Sequence, residues 1–265
     1  MDFSKYTTMK FERRGKILYM TFNQPETLNS FSDQSHAELS RVWDDVTEDP
    51  ESDIVVLTGA GRAFSAGGDI PKMQEIRDNP QVWFRTIREA KRIIISMLEC
   101  DKPIIAKVNG DAIGLGSTLI TCCDMVFAAD HARFGDPHNN VGLTSGDGGQ
   151  LTWPARIGYT RAKHYLLTGE KLPAPEAERI GLINGCMPAA ELDAYVDAYA
   201  DRLAALPTQS LRLSKATINI PLRQMAASMM DAGMAYEALA ATLSGDHQEA
   251  INAFREKRKP AFKGC

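Results

Sequence analysis

Pro103-Ile104-Ile105-Ala106-Lys107-Val108-Asn109-Gly110-Asp111-Ala112-Ile113-Gly114-Leu115-Gly116 is the stretch on which the fold turns. An apolar run ends at Asn109-Gly110, the chain bends on glycines, and a helix follows from about Leu115. That helix leads into Asp124-Met125-Val126-Phe127-Ala128-Ala129, a second strand-like run. Continuous apolar runs bounded by turn residues read as strands buried on both faces. Strand, helix, strand at this spacing is a βαβ unit, and such units build a parallel sheet.

Working outward, Ile54-Val55-Val56-Leu57-Thr58-Gly59 has the same buried-strand character and ends in glycine. Ile17-Leu18-Tyr19-Met20-Thr21-Phe22 is a β-rich run stopped by Asn23-Gln24-Pro25. Ser32 or Asp33 is placed to cap a helix carrying Leu39, Val42, Trp43 and Val46 on one face. Lys72 to Leu98 has helical periodicity, and Arg133-Phe134 begins a short extended piece. Helices dominate from Gly149, with turns at Thr168-Gly169 and Gly181, and the chain is helical from about Ala189. The last segment, Arg255-Glu256-Lys257-Arg258-Lys259, is rich in charge. No low-complexity segment interrupts the chain, and repetition occurs only at the level of the βαβ unit.

The chain has 265 residues and is 44% hydrophobic, long enough for one large core or a main domain plus a smaller element. A net charge of -4, a pI near 5.8 and the lack of a basic stripe argue against nucleic acid as a partner. The odd set Cys100, Cys122, Cys123, Cys186 and Cys265 lacks framework spacing and reads as free thiols in a reducing compartment. Cys122-Cys123 is not CxxC, nothing near it suggests a metal site, and no metal is expected. The N-terminus has no apolar signal region. The longest apolar stretch, Ala112 to Ala129, contains Ser117, Thr118, Thr121, Asp124 and two glycines, so it reads as a buried helix entering a strand, not a membrane span. These features predict a soluble, cytoplasmic protein without a membrane partner.

Two glycine-rich turns and a polar cluster carry the candidate chemistry. The first turn is Phe64-Ser65-Ala66-Gly67-Gly68-Asp69-Ile70, and the second is Asn109 to Gly116. A turn between a buried strand and a helix leaves N–H groups free at the helix start, and glycine lets the backbone approach a ligand. If the N–H groups of Ala66 and Leu115 point at one carbonyl oxygen, they form an oxyanion hole, in which one donor contributes roughly 3 kcal/mol to the transition state. The same spacing also suits two tight turns needed only for packing. Gly114-Leu115-Gly116 lacks the third glycine of a dinucleotide fingerprint. In the polar cluster, His138 follows a proline, and Asp147 lies nine residues on in Gly146-Asp147-Gly148-Gly149. A carboxylate that fixes the imidazole tautomer makes histidine a usable base near neutral pH. Asp136 and Asp111 compete with Asp147 for that partner role, and either also suits a turn. His36, His131, His164 and His247 have no such setting and read as structural. Trp83, Phe84, Trp153 and Met73 suit either a pocket wall or core packing. No GxSxG nucleophile elbow occurs.

At these residues the chain resembles the crotonase, or enoyl-CoA hydratase/isomerase, superfamily. The likeness covers nearly the whole chain. It includes Gln24-Pro25-Glu26-Thr27-Leu28-Asn29-Ser30-Phe31, Gly61 to Ile70, Lys102 to Ala106, and Asn109 to Gly116. It extends through Leu167-Thr168-Gly169-Glu170, Ala177 to Asn184 and the tail Phe254 to Pro260. The resemblance implies an α/β fold, a spiral of βαβ units over 1–188, and a C-terminal helical trimerisation region over 189–265. It implies a homotrimer or dimer of trimers and a small-molecule acyl-CoA thioester as substrate, with coenzyme A as part of that substrate and no separate cofactor. Ala66 and Leu115 match the oxyanion-hole positions. Ser65, Gly67, Gly68, Asp69, Ile70, Gly114 and Thr118 fall in the substrate-binding stretches. The basic tail is similar to one that holds CoA phosphates, and it also suits a solvated helix face.

The positions of the family's two hydratase glutamates are Thr118 and His138 here. His138 with Asp147 is similar to the pair in 6-oxocamphor hydrolase and related β-diketone hydrolases, which add water to a ketone and cleave a carbon–carbon bond. Glu237 falls where that subgroup has an acid, a position acidic across much of the superfamily. The resemblance therefore implies an enoyl-CoA hydratase/isomerase-type lyase using His138 and Asp147. The alternatives are a retro-Claisen hydrolase acting on a cyclic β-diketone and a non-catalytic acyl-CoA binding protein.

Overall fold

The structure is a computed structural model describing residues 1–264, with the side chains of Ile70, Pro71 and Lys72 outside the description. Ile70, expected in the substrate groove, and Cys265, expected as a free thiol, therefore lie outside the described side chains. The chain opens with an antiparallel hairpin of β1 (Met9–Arg14) and β2 (Ile17–Phe22). Helix α1 (Asp33–Glu48), β3 (Ile54–Gly59), α2 (Ile70–Asp78), α3 (Val82–Glu99) and β4 (Ile104–Val108) follow. After β5 (Ala112–Ile113) come α4 (Leu115–Cys122), β6 (Met125–Ala129) and β7 (Arg133–Gly135). The remainder is α5 (Gly149–Thr168), β8 (Leu172–Pro173), α6 (Ala174–Ile180), β9 (Gly185–Met187), α7 (Ala189–Ala204), α8 (Thr208–Ile218), α9 (Ile220–Leu243) and α10 (Gly245–Arg255).

The main sheet has strand order β1-β2-β3-β4-β6-β9, parallel throughout except for the β1–β2 hairpin. A smaller sheet pairs β5, β7 and β8. Every residue of β3 is buried, as its unbroken apolar run predicts. Alternation then divides the strand between two cores. Val55 and Leu57 face the main core with Leu39, Trp43, Ile93 and Met97, whereas Ile54 and Val56 face Leu192, Val196 and Ala200 of α7. Thus α7 closes the second face of the sheet.

Local signals explain most boundaries. Ser32 caps α1, its Oγ accepting from the Ser35 N–H at 3.3 Å. Gly169 and Gly181 end α5 and α6 in left-handed conformation, with φ of 67° and 86°. The single helical stretch expected over Lys72 to Leu98 is two helices. Pro80 lacks the N–H a continuing helix needs, and the residue before a proline disfavours helical geometry. Strand β1 gives no apolar signal because it is an edge strand, with Lys10, Glu12, Arg13 and Arg14 exposed. Cys100, Cys122 and Cys123 are buried free thiols, and Cys186 is half-buried. Burial pushes the Cys122 thiol up to about 12 and Cys123 well above its ordinary value. Among the described residues, no helix is long and apolar enough to cross a membrane.

Candidate active site

The two glycine turns are stitched together by backbone. Phe64 and Ser65 N–H both donate to Asp111 O at 3.1 Å, and Ile113 N–H donates to Ser65 O at 2.9 Å. Gly67 adopts φ +84°, and a Cβ there would lie 2.7 Å from Ile113 O, so glycine is required by both conformation and space. This contact brings the first turn against the start of α4.

The two expected oxyanion donors fare differently. Leu115 is the first residue of α4, lines the cavity beside the turns, and has an N–H without a hydrogen-bond acceptor among the described residues. The Ala66 N–H, by contrast, donates to Leu28 O at 2.9 Å and is not available to a ligand. Two residues on, Gly68 lines the cavity, and its N–H has no acceptor among the described residues. Ser65 is fully buried, its hydroxyl donating to Asn29 O at 2.8 Å and accepting from Gly67 N–H at 3.1 Å, so it supports the turn instead of facing substrate. Asp69 lines the cavity. Gly114 borders His138, with a Cβ there falling 3.9 Å from the imidazole Cε1.

The cavity, about 160 Å³, lies between the turns, α2, α3, α9 and α10. His138 and Asp147 both line it, as do Trp83 and Met73. Phe84 instead points to solvent, and Trp153 packs in the core beside Tyr165. His138 opens a short 3-10 turn, His138–Val141. Its Nδ1 is hydrogen-bonded to Asp136 Oδ1, and its Nε2 lies 3.8 Å from Asp147 Oδ2. The tautomer-fixing carboxylate is therefore Asp136; Asp147 faces the other nitrogen beyond hydrogen-bond distance. Asp111 is engaged elsewhere, accepting from Arg133 Nη2 at 2.7 Å. Thr118 is also fully buried, and its hydroxyl donates to Asp147 Oδ1 at 3.4 Å. Expected in a substrate-binding stretch, it instead touches this carboxylate from inside the core.

Glu237, from α9, closes the far wall. Its Oε2 and Asp136 Oδ2 are buried without hydrogen-bond partners among the described residues. The loop Gly146-Asp147-Gly148-Gly149 fits between them: a Cβ at Gly149 would sit 1.8 Å from Asp136 Oδ2, and one at Gly146 would sit 2.9 Å from Glu237 Oε2. Burial and the negative charges of Asp147 and Asp136, against the opposing His138, raise the Glu237 carboxyl to about 8. Burial also raises Asp147, with His138 opposing. Burial works to lower His138, but Asp136, Asp147 and Glu237 override it and raise the imidazole well above its ordinary value. The charges of His138, Asp147 and Glu237 are thus coupled within one buried cluster. Asp136, His138 and Asp147 each bring one ligand atom within 4.8 Å of the others, within reach of a single cation.

Two histidines expected to be structural also line the cavity. His36 Nδ1 lies 2.8 Å from Glu89 Oε2, and His247 Nδ1 donates to Val141 O at 2.6 Å. Both stand at positions spaced like their helix's buried face: His36 with Leu39, Ser40 and Trp43, and His247 with Ala250 and Ile251. A polar aromatic ring in a buried stripe was the available signal.

Comparison with known proteins agrees with this architecture. The profile of the enoyl-CoA hydratase/isomerase family matches residues 12–265. A crotonyl-CoA hydratase of Syntrophomonas wolfei is 34% identical, over 97% of this chain and 98% of that protein. An enoyl-CoA hydratase/isomerase from Mycobacterium paratuberculosis superposes with a TM-score of 0.89 at 36% identity, covering 93% of this chain and 98% of that one. A β-diketone hydrolase from the cyanobacterium Anabaena sp., bound to (S)-3-oxocyclohexyl acetic acid, superposes with a TM-score of 0.85 at 30% identity, covering 91% and 96%. With the spiral of βαβ units, the matched turns and near-complete coverage in agreement, the chain belongs to the enoyl-CoA hydratase/isomerase, or crotonase, family.

Proposed function

We propose that this protein acts on an acyl-CoA thioester and that His138, oriented by Asp136 and facing Asp147, acts with Glu237 in place of the two hydratase glutamates whose positions are Thr118 and His138. The observation that carries the reading is the imidazole between two buried carboxylates, in one cavity with the Gly68 and Leu115 N–H groups, which have no acceptor among the described residues. The N–H groups of Gly68 and Leu115, not Ala66, form the oxyanion hole. His138 Nε2 takes a proton from water, and the hydroxide oxygen adds to the β-carbon of an enoyl thioester. The displaced electron pair moves to the thioester oxygen as an enolate. Glu237, kept neutral by burial, protonates the α-carbon, and the proton on His138 restores Glu237. With the proton moved between two carbons instead, the same groups support isomerisation.

The basic tail bears on the CoA reading in part. Arg258 is held by Glu249 and Glu256, which leaves Arg255, Lys257 and Lys259 as exposed cations without ion pairs among the described residues. Those two lysines are the ones we assign to CoA phosphates. A homotrimer or dimer of trimers belongs to the same proposal, because α8 and α9 expose Leu213, Ile218, Ile220, Tyr236 and Leu243.

A second reading is favoured by Thr118, which offers no carboxylate for hydration. Here His138-activated water adds to a ring carbonyl of a cyclic β-diketone, free or CoA-linked. The carbon–carbon bond breaks, and its electron pair becomes the enolate of the second carbonyl, which is then protonated at carbon. A paired assay separates the two. Loss of the enoyl absorbance of crotonyl-CoA, abolished in His138→Ala, is the expected result. Cleavage of a cyclic β-diketone alone would establish the second reading. Loss of the general base should cost about 10²–10⁴ in rate. Full activity in His138→Ala would sink both mechanisms.

A further inference from the structure

His247 is a second histidine of the cavity that the proton chemistry does not use. It is fully enclosed at 1% exposure, on the first turn of α10. Its Nδ1 donates to Val141 O at 2.6 Å, which requires the proton on Nδ1. Its Nε2 has no hydrogen-bond partner among the described residues, although the ring lines the cavity. The cavity it lines is shared by Met73 and Ile76 of α2, Leu143 after the 3-10 turn and Ala241 of α9, and also by the acids Asp147 and Glu237. Arg77 ties α2 to this region by donating to Ala241 O and Ser244 O, both at 2.8 Å. The ring is braced against the turn, since a Cβ at Gly142 would lie 2.7 Å from His247 N. Burial, with the Arg77 charge adding to it, lowers the imidazole below its ordinary value, so the ring is neutral and Nε2 is a bare acceptor.

An unpaired acceptor in a buried pocket wall is costly to leave unsatisfied and discriminates for ligands that supply a donor. His138 and His247 meet the two ends of one short turn, His138–Val141, the first by carrying it and the second by bonding its last carbonyl. We infer that His247 Nε2 is a specificity element that accepts a hydrogen bond from a hydroxyl on the acyl group, so that the protein selects hydroxylated acyl chains. This rests on the acyl-CoA reading above.

The test is calorimetric binding of matched saturated thioesters: butanoyl-CoA against 4-hydroxybutanoyl-CoA, and hexanoyl-CoA against 6-hydroxyhexanoyl-CoA. The wild-type protein should prefer the hydroxylated member of at least one pair by roughly 5- to 10-fold. In His247→Asn, whose amide keeps a donor for Val141 O but lacks the distal acceptor, that ratio should fall to about one. Equal affinity within both pairs for the wild type overturns the inference alone and needs no variant. So does a preference that survives in a folded His247→Asn protein. If none of the four thioesters binds, the acyl-CoA reading fails and the inference falls with it.

Discussion

His138 is held on both sides by acids that do different work. Asp136 is hydrogen-bonded to Nδ1, while Asp147 faces Nε2, the nitrogen to which the proposed mechanism gives the proton exchange. Removing the orienting group should free the ring to flip: Asp136→Asn is expected to lower kcat by about 10-fold or more, with KM little changed. The pH profile carries a sign for each group. Glu237 donates only while protonated, and burial raises its carboxyl to about 8, so kcat/KM should fall above that pH. His138 accepts only when unprotonated, and its raised basicity moves the acid limb upward. A bell narrowed from its acid side is therefore expected, and in Glu237→Gln the alkaline limb near pH 8 should vanish. A limb unchanged in that variant would remove Glu237 from the chemistry. At this scale, legibility was uneven. That His138, Asp147 and Leu115 would line one cavity was readable because the signal lay within one turn each. The choice of Asp136 was not, because three acids lay within turn distance and only side-chain placement separates them. Nor was the loss of Ala66 as a free donor: its N–H is taken by Leu28 O, from a segment 38 residues earlier in the chain.

Among the elements, the contact between the first glycine turn and the start of α4 matters most to the site. Gly67→Ala would force a left-handed alanine and place its Cβ 2.7 Å from Ile113 O. A loss of about 1–3 kcal/mol of stability is expected, visible in urea unfolding, with activity falling further than stability because Gly68 and Leu115 shift with the turn. The buried parallel strands were legible because both faces are apolar, so no alternation had to be detected. The hairpin strand β1 was hidden by its charged solvent side, and the break at Pro80 was masked by an apolar stripe that resumes in the same phase. The short strands β5, β8 and β9 have two or three residues each, too few for any period to register.

For the whole molecule, one buried acid links stability to pH. Burial raises Asp49, but hydrogen bonds from Ser52 and Arg13 outweigh it and hold the carboxyl at about 2. Its folded value lies below the unfolded one of about 4, so its contribution is present above pH 4 and lost as pH falls toward 2. Urea midpoints measured between about pH 5 and about pH 2 should fall less steeply in Asp49→Asn than in the wild type. The apolar surface of α8 and α9 gives a separate expectation: light scattering should report the mass of three or six chains. Charged residues introduced together at Leu213 and Ile218 should shift that mass toward the single chain.

The buried thiols make the molecule its own reporter of opening. Cys100, Cys122 and Cys123 are shut inside the core, and the last two resist ionisation even where bulk thiols become reactive. In a Cys265→Ser background, a disulfide reagent should therefore label the partly exposed Cys186 first and meet the other three only when the core parts. Their labelling rate then clocks how often that happens, without any denaturant being added.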